Sequence, residues 1–198
     1  LRRDCQHASP YIDVDRIDNL ILITRGPLIP AIAKLTLEQA TALMILGQSM
    51  ESSAGDPTRA GKIRSEFFYD PFVAGDRAEH ANRFYETLKG LPHIDYFLIN
   101  TGGVGEGEHY KDIKLEYTLA ILDSLLRGGL EDWTDSATGF KVPRSIRYVD
   151  DVYSHPEKLY SRIEFEEKQK KLSKIRRKAI EKFGSSLHPN IRSAFSKS

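Results

Sequence analysis

Glycine-bearing stretches are the first places to look for chemistry here, because glycine lets backbone N–H groups approach an anion closely. The first, Gly55-Asp56-Pro57-Thr58-Arg59-Ala60-Gly61-Lys62-Ile63, has the outline of a phosphate-binding loop closed by a lysine. It departs from that pattern in three ways. One residue too many lies between its glycines, Ile63 stands where a Ser or Thr would hold magnesium, and a helical run precedes it where a strand is needed. It reads as a surface loop. The second, Asn100-Thr101-Gly102-Gly103-Val104-Gly105-Glu106-Gly107, leaves an apolar run and leads toward a helix, where N–H groups can meet an anion. Its glycines alternate, so the dinucleotide spacing is absent, and Asp123, about as far on as a ribose partner should be, falls inside a helical pattern. Taken alone, this loop admits either nucleotide contact or an ordinary flexible turn.

Other chemistries find little support. His7, His80, His93, His109, His155 and His188 lack the spacing of a metal pair, and the single Cys5 offers no thiolate site or internal disulfide. No serine sits in a Gly-x-Ser-x-Gly elbow, and the acids form no two-carboxylate motif, so hydrolase chemistry is not indicated. Lys and Arg total 29 against 28 Asp and Glu, a formal charge of +1. A balance of that kind provides no global field for nucleic acid or an anionic membrane. No apolar run approaches the roughly 18 residues of a membrane span, and the opening Leu1-Arg2-Arg3-Asp4 lacks a signal-peptide core. These features predict a protein of the cytoplasm. The polar start on a residue other than Met is what a segment of a longer chain would show.

The elements that must position any site are legible in part. Leu20-Ile21-Leu22-Ile23 predicts a strand covered on both faces, ended by Arg25-Gly26-Pro27. Thr36 and Gln39 have capping-box spacing ahead of an amphipathic helix through Leu43, Met44 and Gly47. Residues 51 to 61 read as a loop, and Phe67-Phe68-Tyr69 with Phe72-Val73 as a short edge strand or hairpin interrupted by Pro71. Asp76 and Glu79 begin a second helix, with Ala81, Phe84, Tyr85 and Leu88 on one face and Gly90 at its end. Ile94 to Ile99 predicts a second apolar strand, Leu115 to Leu126 a third helix stopped by Gly128-Gly129, and Phe140 to Pro143 a further short strand. Beyond Pro156 a long helix is expected, with Leu172, Ile175, Ala179 and Phe183 inward. Lys168, Lys170, Lys171, Lys174, Arg176, Arg177 and Lys178 then crowd its polar face. Interleaved Glu164, Glu166, Glu167 and Glu181 make that helix a solvated surface with i, i+4 pairs before a nucleic-acid surface. The expected organisation is an irregular entry over 1–18, an α/β lobe over 19–150, and a C-terminal helix and tail over 151–198. The fold class is α/β, a partial mixed sheet with covering helices.

These segments, in order, resemble the C-terminal portion of the ATP-type phosphoenolpyruvate carboxykinase family. The resemblance is carried by Ala33-Lys34-Leu35-Thr36-x-Glu38-Gln39-Ala40, Ala54-Gly55, Pro71-Phe72 and Leu98-Ile99-Asn100-Thr101-Gly102-Gly103. It continues through Lys111-x-Ile113-x-Leu115-x-Tyr117-Thr118-x-Ala120-Ile121-Leu122-Asp123, Phe140-x-Val142-Pro143 and a last amphipathic helix ending at Phe183.

The resemblance implies a gluconeogenic lyase (decarboxylase) that turns oxaloacetate and ATP into phosphoenolpyruvate, carbon dioxide and ADP, with Mg or Mn bridging phosphates. It implies that the phosphate loop, metal ligands and carboxylate-binding arginines lie upstream of the portion matched here. This chain would then contribute one wall of the nucleotide site, take the missing upstream half of the same protein as its partner, and be inactive alone. Carried over by position, that wall is Lys111, Asp112, Ile113 and Thr118. Ile113 and Thr118 match the family pattern, whereas Asp112 stands where the family has arginine. A unit charge reversed beside a polyanion is worth on the order of 1–4 kcal/mol before screening, so nucleotide affinity should fall unless Lys111 compensates. A module that binds or scaffolds without catalysis is the alternative that Asp112 favours. For Thr118 a hydrogen bond to its own helix backbone is the competing role. Lys111 and Asp112 would then be plain surface charges and Ile113 a core residue.

Overall fold

The computed structural model describes residues 15–50, 58, 63–65 and 74–195. Its centre is a five-stranded mixed sheet in the order β1 (Asn19–Thr24), β5 (Asp95–Asn100), β2 (Ile32–Leu35), β9 (Lys141–Pro143), β8 (Trp133–Asp135). β1 and β5 run parallel in the register Asn19↔Asp95 through Thr24↔Asn100, and the other neighbours are antiparallel. A short hairpin of β3 (Gln48–Met50) and β4 (Ile63–Ser65), and a second of β6 (Gly103–Val104) and β7 (Lys111–Asp112), stand apart from it. The Phe-rich segment expected as an edge strand, and most of the false phosphate loop, lie outside the described residues.

The period-2 alternation of β2 and β5 divides the interior. Ala33, Leu35 and Leu98 face a cluster completed by Leu43 of α1 (Leu37–Leu46) and Leu88 of α2 (Arg77–Lys89). Ile32 and Ile99 face the opposite cluster, with Ile113 and with Ile121 of α3 (Leu115–Leu126). Fully burying an aliphatic side chain such as Ile121 is worth about 1.5–3 kcal/mol. Helices therefore cover both faces of a mixed sheet, which is the predicted α/β class.

The Thr36–Gln39 box forms as expected, whereas at α2 Asp76 caps alone, without a returning bond from Glu79. The Thr36 hydroxyl accepts from the Gln39 N–H at 3.2 Å while Gln39 Oε1 accepts from the Thr36 N–H at 3.1 Å. Gly47 closes α1 in the left-handed region, at φ 51°. Asp76 caps α2 through the Ala78 N–H at 2.8 Å, and the Gly129 N–H returns to the Ser124 carbonyl at 2.7 Å after α3.

Two expectations are corrected. β1 is an edge strand among the described residues: Leu20, Ile21 and Leu22 are half-buried and Ile23 is 73% exposed. An uninterrupted apolar run marks a strand that parallel pairing favours, not the number of its neighbours. In α4 (Arg162–Glu181), Arg176 leaves the polar face and is buried, its guanidinium 5.5 Å from the Phe140 ring and 4.8 Å from the Phe195 ring. Desolvation pulls its pKa down to about 10, so the cation persists at neutral pH. Arg176→Met keeps the volume beside the two rings filled and should therefore cost less than the truncation to alanine. Arg176→Ala should cost about 2–4 kcal/mol through the void it leaves. Urea unfolding of both variants measures the difference, and equal losses would show that charge rather than packing holds the joint. Near the end of α4, Ile180 meets Ile45, Ala81 and Ile191 of α5 (Pro189–Arg192), so the C-terminal helices close a third cluster against α1 and α2.

Candidate nucleotide-facing site

Parallel strands β1 and β5 both finish at the same edge of the sheet, where Thr24 and Asn100 are register partners. Ligands of α/β sheets gather outside such carboxyl ends. The chain leaves β1 through Arg25-Gly26 and leaves β5 through Thr101-Gly102-Gly103.

Asn100, fully buried, joins the two exits. Its amide nitrogen donates to the carbonyls of Gly26 (2.9 Å), Ile29 (2.7 Å) and Gly103 (3.1 Å). Its amide oxygen accepts from the Gly102 N–H at 3.0 Å. One polar side chain thereby satisfies a buried turn that no ladder could serve. The sequence carries a signal for this role that motif spacing does not register: a lone amide ending the apolar run before Thr-Gly-Gly.

The glycine loop does not run into α3; it passes through a single 3₁₀ turn at Gly107–His109. It folds back as the β6–β7 hairpin, with Gly103 opposite Asp112 and Val104 opposite Lys111. A Cβ on Gly103 would stand 2.5 Å from the Tyr110 ring, and one on Gly105 would stand 2.1 Å from the His109 carbonyl oxygen. These glycines answer to close backbone approach inside the hairpin, which corrects the expectation of N–H groups presented at a helix start. Asp123 is excluded as a ribose partner by its place on α3, where it accepts from Arg127 Nε at 2.7 Å.

The structure brings the four candidate residues into one strip, β7 and the first turns of α3. Lys111 and Asp112 are exposed, Ile113 is buried and Thr118 is half-buried. The Ile113 N–H donates to the Gly102 carbonyl at 2.9 Å, and its side chain belongs to the core shared with Ile99 and Ile121. The Thr118 N–H bonds the Lys114 carbonyl at 3.2 Å, while its hydroxyl takes no hydrogen-bond partner among the described residues. Asp112 accepts from the Tyr110 hydroxyl at 3.3 Å. The Tyr110 hydroxyl is held above the usual phenol range by burial first and by Asp112 second, while Arg25 pulls the other way. Burial, then Tyr117, Asp150 and Asp112, raise Tyr153 too, whose ring lies 5.2 Å from that of Tyr117. Successive strand residues point to opposite faces, so Lys111 is directed away from the face that Tyr110 and Asp112 share. Lys111 is poorly placed to offset the Asp112 charge.

Comparison with known proteins decides the lineage. A family model described as phosphoenolpyruvate carboxykinase matches residues 4–152. The chain belongs to the ATP-type phosphoenolpyruvate carboxykinase family. Among curated proteins named phosphoenolpyruvate carboxykinase (ATP), that of Aeropyrum pernix is 31% identical over 159 residues, 77% of this chain and 30% of the relative. The Bacillus subtilis protein is 29% identical over 165 residues, covering 78% and 31%, and that of Methylobacterium nodulans 26% over 200 residues, covering 95% and 37%. The chain thus spans about a third of the length of these carboxykinases.

Among the described residues no group of three His, Cys, Asp or Glu side chains could hold a metal ion, and no helix is long and apolar enough to cross a membrane. A hollow of about 1270 Å³ runs along α4 from Arg162 to Glu181 and touches none of the four candidate residues.

Proposed function

We propose that this chain forms one wall of the nucleotide site in a carboxykinase-like protein whose reaction converts oxaloacetate and ATP to phosphoenolpyruvate, carbon dioxide and ADP. Family membership supplies the reaction. The observation that carries the wall is the convergence of β7 and the start of α3 on the carboxyl ends of β1 and β5.

In this reading Ile113 packs the wall from behind, the Thr118 hydroxyl, without a hydrogen-bond partner among the described residues, offers a hydrogen bond, and Asp112 sets the local charge. No group of three His, Cys, Asp or Glu among the described residues fits a divalent ion, so in this reading its ligands would come from the upstream remainder of such a protein. No catalytic role falls to this chain alone. Purified chain supplied with oxaloacetate, ATP and manganese is expected to yield no phosphoenolpyruvate, and measurable turnover would overturn that assignment.

Calorimetric titration of ATP and GTP, with magnesium or manganese, into the chain and into Asp112→Asn and Asp112→Arg tests the wall. Affinity for ATP should climb in the order Asp, Asn, Arg, by about tenfold from first to last once solvent screening reduces the bare charge effect. Equal affinity across the series would remove Asp112 from the site. A non-catalytic binding module is the second reading, favoured by the carboxylate at position 112. A parent protein without the upstream Gly-x-x-x-x-Gly-Lys-Thr/Ser loop would decide for it.

A further inference from the structure

Helix α3 carries more apolar surface than the sheet beneath it covers. Ile121 is fully buried in the cluster with Ile32 and Ile99, whereas Leu115, Leu119 and Leu126 are 74%, 56% and 70% exposed. Leu122, half-buried, lies at the rim of the same cluster. These four leucines follow one another at intervals of four, three and four residues, the spacing that draws one continuous stripe along a helix and seats it against another. A single exposed leucine is ordinary, but a contiguous row of them marks a contact.

The order of the stripe fits its own copy. Intervals of four, three and four read the same in both directions, so a second α3 laid antiparallel about a two-fold axis sets Leu115 against Leu126 and Leu119 against Leu122, each pair occurring twice. The charges at the helix ends agree with that direction. Glu116 lies in the first turn and Arg127 at the C-cap, so antiparallel pairing brings the carboxylate of one copy alongside the guanidinium of the other and opposes the two helix dipoles. Parallel pairing would bring like charges level. Within one copy Glu116 stands 3.8 Å from Lys114, and Arg127 donates to Asp123 through Nε alone, which leaves its other guanidinium N–H groups to offer.

We infer that α3 is a self-association surface, through which two copies of this chain pair antiparallel along the leucine stripe with Glu116 of each copy beside Arg127 of the other. The stripe falls short of the roughly 800 Å² per partner that a stable complex of separate chains buries, so the pair forms reversibly, in the micromolar range or above.

Sedimentation equilibrium of the chain, from micromolar to near-millimolar concentration, tests this. The apparent mass should climb toward that of two chains. Leu119→Lys places an ammonium on the stripe twice per pair and should weaken association at least about tenfold. Because position 119 is exposed, far-UV circular dichroism and the thermal midpoint of that variant should match the parent chain. Glu116→Arg and Arg127→Glu should each weaken pairing about fivefold, and the doubly reversed chain should regain most of the loss, since opposite charges meet again. A chain that stays monomeric throughout overturns the inference and leaves the stripe to the upstream remainder of the parent protein. Association that survives Leu119→Lys overturns it too, as does a double reversal no tighter than the single ones.

Discussion

Asn100→Asp is expected to lower the unfolding free energy by about 3–5 kcal/mol at pH 7, a loss of the size seen when a buried charge is left without a partner. The amide nitrogen now donates to three carbonyls, of Gly26, Ile29 and Gly103. A carboxylate in its place would set a negative charge against those oxygens with no donor to offer. Burial and the facing carbonyls would raise the new carboxyl's pKa above its unfolded value of about 3.9. The folded variant then binds more protons than the unfolded one, so its deficit is smallest below about pH 4 and grows as pH rises through the folded pKa. Urea titrations followed by far-UV circular dichroism at pH 4 and pH 7 read both the size and the sign. A variant within 1 kcal/mol of the parent at pH 7, or one that weakens toward acid, would show that Asn100 is not the joint described.

Gly105→Ala is the second large effect, at about 2–5 kcal/mol. The position has φ +81°, and the added Cβ would meet the His109 carbonyl oxygen at 2.1 Å, a backbone atom that cannot swing aside. Left-handed strain contributes about 1–2 kcal/mol and overpacking about 1–3 kcal/mol. Gly107 isolates the two contributions. It also has positive φ, at +56°, but nothing stands within 4 Å of its Cβ position, so Gly107→Ala should lose only the strain. Thermal unfolding with hydrogen exchange at Val104 and Lys111 separates them: Gly105→Ala should expose the hairpin amides and Gly107→Ala should not. Equal destabilisation by the two would mean that the close approach at Gly105 is relieved without cost.

Much of the scaffold is legible in the sequence because its signals are local. Thr36 with Gln39 and Asp76 with Ala78 complete their bonds within one turn of chain, so the starts of α1 and α2 can be read from residue spacing. The family is legible for a similar reason, since its short segments keep their order even where individual residues change. The elements that escape such a reading depend on partners far along the chain. β2 is four residues long and becomes a strand through pairing with β5 and β9. β8 likewise exists through β9. Arg176 looks like one more surface cation until the paired rings of Phe140 and Phe195 come to lie against it. Within the candidate strip, likeness to the family picks out Lys111, Asp112, Ile113 and Thr118. That Lys111 and Asp112 diverge to opposite faces, and that Arg25 comes beside Asp112's neighbour Tyr110, requires the hairpin. No single-residue pattern carries that information.

The parallel pairing of β1 with β5 also has a consequence in time. β1 leaves the ribosome with Asn19 to Thr24, and its partner begins only at Asp95. At about 5–20 residues per second, Leu20 to Ile23 wait roughly 4–15 s for the strand that will hold them. Contacts closed over such lengths are slow to form even once both partners exist. During that interval the nascent chain presents four consecutive large aliphatic residues with high strand propensity and no charge among them, the composition that recruits other chains. Recovery of folded protein during synthesis should therefore be governed by translation speed between β1 and β5 and by holding chaperones, more than by the stability of the finished sheet.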